Sequence, residues 1–166
     1  MEIERRFLIK DISKLDLSKY KSKRIIQDYL YKDNFTAIRK RQSIKDNKII
    51  YSYTVKTNKI GLSVNEIEQF ITLEQYNKLK INPNFNHIDK TRFLIPYKDN
   101  LTIELDVFND NFSGIIFAEI EFDNEEQAKN IELPNWFGPE ISNKLTNLDM
   151  ASKPIEKIFE FINGIC

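Results

Sequence analysis

The sequence holds one cysteine, Cys166, so no intrachain disulfide can form and a reducing, cytoplasmic setting is expected. Its one histidine, His87, excludes paired-histidine catalysis and zinc sites built on histidine clusters. Four glycines (Gly61, Gly114, Gly138 and Gly164) are too few and too scattered for a dinucleotide fingerprint or a phosphate-cradling loop. No apolar run approaches membrane length, and Met1-Glu2-Ile3-Glu4-Arg5-Arg6 is charged where a signal peptide needs an apolar stretch. Net charge is missing too: 25 Lys+Arg balance 25 Asp+Glu, which argues against a nucleic-acid coat or a basic membrane-surface protein. What is present suffices for one core, since 41% of the 166 residues are hydrophobic and 12% aromatic. With no linker or repeat to divide it, 1–166 reads as a single domain. Any phosphate or metal chemistry must then rest on carboxylates, lysine and arginine.

The dominant pattern is alternation with period two, the mark of strands with two distinct faces. Candidate strands lie near 2–10, 24–32, 35–44, 48–58, 63–71, 88–97, 100–108 and 114–122. Lys32-Asp33-Asn34, Lys45-Asp46-Asn47 and Lys98-Asp99-Asn100 carry hairpin turn chemistry. Thr72 with Gln75 caps a helix near 73–80, and Asp123 with Glu126 caps another over 124–131. The segment 154–163 opens at Pro154 and sets Ile155, Ile158, Phe159 and Ile162 on one face, an amphipathic helix whose stripe reads as core packing. The fold class is mainly β (α+β), an antiparallel sheet of eight strands that curls and closes, with short peripheral helices.

The polar face of these strands is unusual. Same-sign pairs recur two residues apart: Glu2/Glu4, Arg39/Arg41, Glu66/Glu68, Lys90/Arg92, Glu104/Asp106 and Glu119/Glu121. Arg6 continues the first row and Lys56 sits alone on its strand. Residues i and i+2 share a face, so each pair points to one side. Two carboxylates roughly 6.5 Å apart repel by about 2–3 kcal/mol at an effective dielectric near 20. One such pair reads as a solvated outer face. Six on different strands raise a polyanion-binding surface above that reading, with cross-strand ion pairing as the alternative. A divalent cation would relieve the carboxylates, and hard oxygen ligands suit Mg²⁺ or Mn²⁺. The Lys/Arg rows would then hold a polyanion bridging to that ion.

These residues resemble a known family, the CYTH superfamily or triphosphate tunnel metalloenzymes. Glu2-Ile3-Glu4-Arg5-Arg6 is similar to its N-terminal ExExK signature, with Arg6 in place of the closing lysine. The likeness continues through Gln27-Asp28-Tyr29-Leu30, Ile38-Arg39-Lys40-Arg41, Thr54-Val55-Lys56, Asn65-Glu66-Ile67-Glu68, Lys90-Thr91-Arg92, Glu104-Leu105-Asp106 and Glu119-Ile120-Glu121. It extends through Leu133-Pro134-Asn135-Trp136-Phe137-Gly138 to Ala151-Ser152-Lys153-Pro154, nearly the whole chain.

The resemblance implies a closed eight-stranded antiparallel β-barrel forming a tunnel, and Mg²⁺- or Mn²⁺-dependent hydrolysis of a triphosphate, tripolyphosphate first. It implies Glu2, Glu4, Glu104, Asp106, Glu119 and Glu121 as metal ligands. Arg6, Arg39, Arg41, Lys56, Lys90, Arg92, Lys144 and Lys153 would bind phosphate, and Glu4, Arg6, Glu66 and Glu68 would serve catalysis, Glu66 or Glu68 orienting the water. Alternatives are a class IV-type adenylyl cyclase, or a tunnel that binds polyphosphate or nucleotide without turnover. The expected partner is a small polyanion (tripolyphosphate or a nucleoside triphosphate), with neither nucleic acid nor membrane, in a monomer or homodimer. No motif identifies a base reader: Trp136 reads as packing and His87 as a surface loop residue.

Overall fold

Period-two alternation becomes, in the computed structural model of the chain, a closed antiparallel barrel. The structure describes residues 1–60 and 62–165, so Gly61 and Cys166 lie outside the described residues. Among the described residues there are eight strands: β1 (Glu2–Leu8), β2 (Lys21–Lys32), β3 (Thr36–Lys45), β4 (Lys48–Ile60), β5 (Ser63–Ile71), β6 (Ile88–Pro96), β7 (Thr102–Phe108) and β8 (Ile116–Phe122). Around the barrel they run β1-β5-β4-β3-β2-β6-β7-β8, and β8 pairs back to β1. Two meanders, β2–β5 and β6–β8, are thus joined through β1. That strand pairs with β8 from Ile3↔Phe122 to Leu8↔Phe117 but with β5 only at Glu2↔Val64 and Ile3↔Ser63.

The turns follow side-chain chemistry. Asp46 and Asn47 between β3 and β4, and Asp99 and Asn100 between β6 and β7, have φ between 49° and 63°, a left-handed region that Asp and Asn tolerate. Asp33 folds the β2–β3 turn by accepting from the N–H groups of Phe35 and Thr36 at 2.8 and 2.7 Å.

Sequence and structure differ at several ends. β2 starts at Lys21 rather than 24, because β6 supplies a partner as far as Lys21↔Leu94. Helix α1 (Leu73–Lys78) carries the expected capping box of Thr72 and Gln75. Helix α2 (Glu125–Asn130) is capped one residue later than expected: Asn124, not Asp123, accepts the Gln127 N–H. A helix not expected, α3 (Asn147–Ser152), is held by a reciprocal cap of Thr146 and Asp149. The C-terminal helix α4 spans Ile155–Gly164 and buries Ile158 and Ile162. Among the described residues no helix is long and apolar enough to cross a membrane.

Inward rows change from charged to apolar toward one end of the barrel. Glu4 and Arg6 lead to Leu8, Lys90 leads to Ile88, Asp106 to Phe108, and Glu119 to Phe117. Leu8, Tyr29, Ile88, Phe108 and Phe117 meet Ile141, Leu145, Met150, Ile158 and Ile162 there, so α3, α4 and the segment before them stopper that end. A second cluster lies outside the barrel, where Phe7, Ile103, Leu105 and Ile120 are covered by α2 and the segment carrying Leu133, Trp136 and Phe137. Trp136 meets Phe137 edge-on at 4.8 Å, which is the packing role the sequence suggested.

Gly138 fastens that covering segment to β1. Its N–H donates to the Leu8 carbonyl at 3.0 Å, and an added Cβ would stand 2.3 Å from the same oxygen. Gly138→Ala must therefore push backbone from backbone. It is expected to lower stability by about 1–3 kcal/mol, measured by thermal or urea unfolding. An unchanged midpoint would show that the segment can move off β1 at no cost.

Candidate functional site

The charged rows line one cavity of about 990 Å³ running along the barrel axis. Its two sides have opposite character. Lys21 and Lys23 from β2, Arg39, Arg41 and Lys45 from β3, and Lys48 and Lys56 from β4 make a basic wall. Glu2 and Glu4 from β1, Glu66 and Glu68 from β5, Glu104 from β7, and Glu119 and Glu121 from β8 make an acidic one. The pleat explains the placement, because same-sign residues two apart leave the strand on the same side.

Pairing between the two walls is loose. Arg39 reaches Glu66 at 3.6 Å, and Lys56 reaches Glu2 at 3.5 Å and Glu66 at 3.7 Å. Arg41 donates only to the side-chain oxygen of Gln27, at 3.1 and 2.8 Å. Burial, then its cationic neighbours Arg39 and Arg92, pull the Arg41 guanidinium down to about 9. Lys23 is likewise lowered by burial and then by Arg92. Buried Nε and Nη1 of Arg39 and Nε2 of Gln27 have no partner. A basic wall with unpaired, desolvated donors calls for an anion.

Arg92 differs. It donates to Asp106 through Nε at 2.6 Å and Nη2 at 2.8 Å, and it also pairs with Glu104 and Glu119. Asp106 takes Lys90 as well, at 2.6 Å, and Lys90 and Asp106 are both wholly buried. Burial alone would raise the Asp106 carboxyl, but the charges of Arg92 and Lys90 outweigh it and hold that carboxyl low. Burial brings Lys90 down to about 8 despite Asp106. Arg6 is a clamp: Nη1 donates to the Leu145 carbonyl and Nη2 to Glu119, each at 3.0 Å. A lysine could not span both with a planar fork, which gives the arginine at this position a physical reason.

The structure thus brings Glu2, Glu4, Arg39, Arg41, Lys56, Glu66, Glu68, Arg92, Glu104, Glu119 and Glu121 to one lumen. It places Lys90 and Asp106 behind that lining as a buried pair. Arg6 borders an adjoining chamber. Lys144 and Lys153 are exposed and line neither cavity, and Lys153 pairs with Asp149 at 3.7 Å. His87 is half-exposed beside Asp28, with Nδ1 2.7 Å from its Oδ1. Sequence reasoning missed Lys21, Lys23, Lys45 and Lys48. The first two would have joined the basic row had β2 been started three residues earlier.

Among the described residues no three of His, Cys, Asp and Glu stand together as a ready metal cage. Glu119 is already held by Arg6 and Arg92, and Asp106 by Lys90 and Arg92. Glu121 has no such relief. Burial raises its carboxyl, and Glu104 and Glu4 raise it further. The donor chemistry therefore fits a hard cation that takes one or two carboxylates here and completes its shell with water and phosphate oxygens, as Mg²⁺ does.

Two measurements test these assignments. If Asp106 positions Arg92, Asp106→Asn leaves two buried cations short of a charge and should destabilise the metal-free protein by roughly 3–5 kcal/mol, read by unfolding with chelator present. Wild-type stability would return Asp106 to the list of free ligands. For Glu121 the sign follows from its raised carboxyl: the stabilising contribution is complete below the ordinary 4.5 and is lost as pH rises through the folded value. Glu121→Gln should then raise metal-free stability at neutral pH, by under about 1 kcal/mol after solvent screening, and change nothing well below pH 4.5. A fall at neutral pH would contradict a self-repelling acidic wall.

No family model matches the chain. An inorganic triphosphatase of Nitrosomonas europaea is 34% identical over 92 residues, 55% of this chain and 60% of that protein, so the matched stretch spans less than two thirds of the relative. Over the fold, the crystal structure of an inorganic triphosphatase superposes with a TM-score of 0.64 at 27% identity, covering 93% of this chain and 96% of the other. A putative adenylyl cyclase from Hippeastrum, described as having a dominant triphosphatase activity, gives 0.61 at 18% identity over 78% and 83% of the two chains. A putative adenylate cyclase from Bacillus halodurans gives 0.55 at 18% over 96% and 97%; these last two bear on the fold alone. The chain thus has a closed eight-stranded barrel around a lumen with one acidic and one basic side, and over nearly its whole length it is similar to that inorganic triphosphatase structure.

Proposed function

We propose that this chain hydrolyses a triphosphate, inorganic tripolyphosphate first, releasing orthophosphate with the help of Mg²⁺ or Mn²⁺. The observation that carries the reading is the basic wall: Arg41 is desolvated among cations and Arg39 keeps two buried N–H donor positions unpaired, facing carboxylates across one lumen. A ligand that satisfies both sides is a polyanion carrying a divalent cation. The triphosphatase relatives support the same reading.

Arg39, Arg41, Lys56 and Arg92 would hold phosphate oxygens. The three guanidinium forks match phosphoryl geometry and stay charged at neutral pH. Arg92, gripped by Asp106, is preorganised for this, so little of its rotamer freedom remains to be lost on binding. One or two of Glu2, Glu4, Glu104 and Glu121 would hold the cation, which would neutralise charge on the phosphate oxygens and lower the pKa of a bound water. Glu66 and Glu68 lie across the lumen from Arg92, where either can orient a water for in-line attack on the terminal phosphorus. Arg6 acts through Glu119, which it holds in place. A cytoplasmic location accompanies this reading.

The test is phosphate release from tripolyphosphate with Mg²⁺, Mn²⁺ or chelator, with products resolved. Orthophosphate released only with metal is expected; cyclic nucleotide and pyrophosphate from ATP would indicate a cyclase instead. Glu4→Gln should lower kcat by about 100-fold or more, a loss of the size seen when a group acting on the transition state is removed. Its fold should remain intact. Full turnover in Glu4→Gln, or in excess chelator, would remove the metal assignment. Binding of tripolyphosphate without turnover in any divalent metal would point to a binding protein.

A further inference from the structure

The two strands that meet at the β1–β5 junction have differently finished edges. Beyond its two pairs with β5, β1 is covered by the segment 138–142. The Leu8 N–H donates to the Pro139 carbonyl at 2.9 Å, the Ile141 N–H donates to the Arg6 carbonyl at 2.8 Å, and Phe7 bridges to Glu140. Beyond the same two pairs β5 runs on from Asn65 to Ile71. Among the described residues no strand pairs with that stretch on the side away from β4. β8 ends at Phe122, opposite Ile3, and closes the wall no further up. The mouth of the tunnel therefore has a notch in its wall, and one bank of the notch is a free sheet edge.

Free edges of this length ordinarily carry lysine or proline, which discourage further pairing. Asn65-Glu66-Ile67-Glu68-Gln69-Phe70-Ile71 has neither, and its large apolar residues Ile67 and Phe70 are each 71% exposed. Glu66, Glu68 and Phe70 point inward and line the lumen at its mouth. Glu66 is held only loosely, by Arg39 at 3.6 Å and Lys56 at 3.7 Å. Glu68 is exposed, and among the described residues it has no ion pair.

The inward carboxylates decide what can pair there. A second copy of β5 laid along the first would bring two sets of Glu66 and Glu68 together on one face, and like charges facing each other across a sheet destabilise it. A strand with lysine or arginine at alternate positions meets them with opposite charge, and Glu2, next to Val64 at the foot of the notch, adds to the same field. The period of two then sends the residue between those cations to the outer face beside Ile67, where an apolar side chain would cover it.

We propose that the β5 edge receives an extended basic segment of a partner protein by strand addition, with lysine or arginine opposite Glu66 and Glu68 and apolar residues opposite Ile67 and Phe70. Main-chain hydrogen bonds supply the affinity, as in other edge-strand complexes. The carboxylates supply the selectivity, because they turn away acidic strands and further copies of this chain. Docking of this kind is independent of the triphosphate reading, since it concerns the sheet edge and not the chemistry of the lumen.

The probe is the peptide Leu-Thr-Lys-Val-Lys-Thr, capped at both ends and fluorescently labelled, titrated into the whole chain with chelator present. Binding is read by anisotropy and by amide hydrogen exchange. Slowed exchange confined to Asn65–Ile71 is expected. Methylating alternate backbone nitrogens of the peptide should weaken binding about tenfold, because ladder hydrogen bonds are lost. Glu68→Lys, at an exposed position, should weaken it roughly fivefold, and replacing the facing lysine of the peptide by glutamate should restore it. No saturable binding to the parent, undiminished binding of the methylated peptide, protection elsewhere than β5, or no rescue by the exchanged charges would overturn the proposal. So would a dimer of this chain, seen by sedimentation, in which exchange at Asn65–Ile71 is already slow without peptide.

Discussion

Everything in this molecule depends on keeping charges of one sign together on one side of a narrow lumen. Folding ordinarily intersperses charge, because like charges at strand spacing repel by a few kcal/mol per pair at protein dielectric. Here β2 to β4 gather cations and β1, β5, β7 and β8 gather carboxylates. Only the deep layer, Lys90–Asp106–Arg92–Glu119–Arg6, is closely ion-paired throughout. That layer is a floor. It lets the apolar stopper of Leu8, Phe108 and Phe117 pack directly beneath charged residues. Above it, the two walls are paired only loosely, through Arg39 and Lys56.

The division between floor and walls explains which site residues were legible in the sequence. Alternation revealed the inward rows of most strands, since a period of two says which side chains share a face. It could not give depth. Glu104 and Asp106 have the same pattern and differ because Asp106 sits one pleat lower, opposite Arg92 and within reach of Lys90. The basic residues of the mouth escaped for a related reason: the outer end of β2 is specified by its partner β6, not by any local signal at Lys21. Turns were readable because Asp and Asn create them by local hydrogen bonding. The cap of α2 moved by one residue because Asn124 serves the same chemistry as Asp123. Lys144 and Lys153 were placed by resemblance alone, and no inward-facing strand holds them. The chamber bordered by Arg6 was invisible for a deeper reason, being built from separate parts of the chain that meet only after closure.

The hydrogen bonds around the barrel are unevenly distributed. β2 and β3 pair from Arg24↔Ile44 to Lys32↔Ala37, with one register shift between Tyr29 and Tyr31, and β3 and β4 pair in register from Thr36↔Thr57 to Lys45↔Lys48. β1 and β5 meet at two residue pairs. Topologically this makes the barrel a cylinder with a seam, and the seam runs between the two strands bearing Glu2, Glu4, Glu66 and Glu68. Mutual repulsion across that line favours parting, and Lys56, reaching both Glu2 and Glu66, is the single side chain that bridges it among the described residues. The thinnest hydrogen bonding of the barrel therefore coincides with its densest gathering of carboxylates, and one lysine side chain carries the counter-charge there.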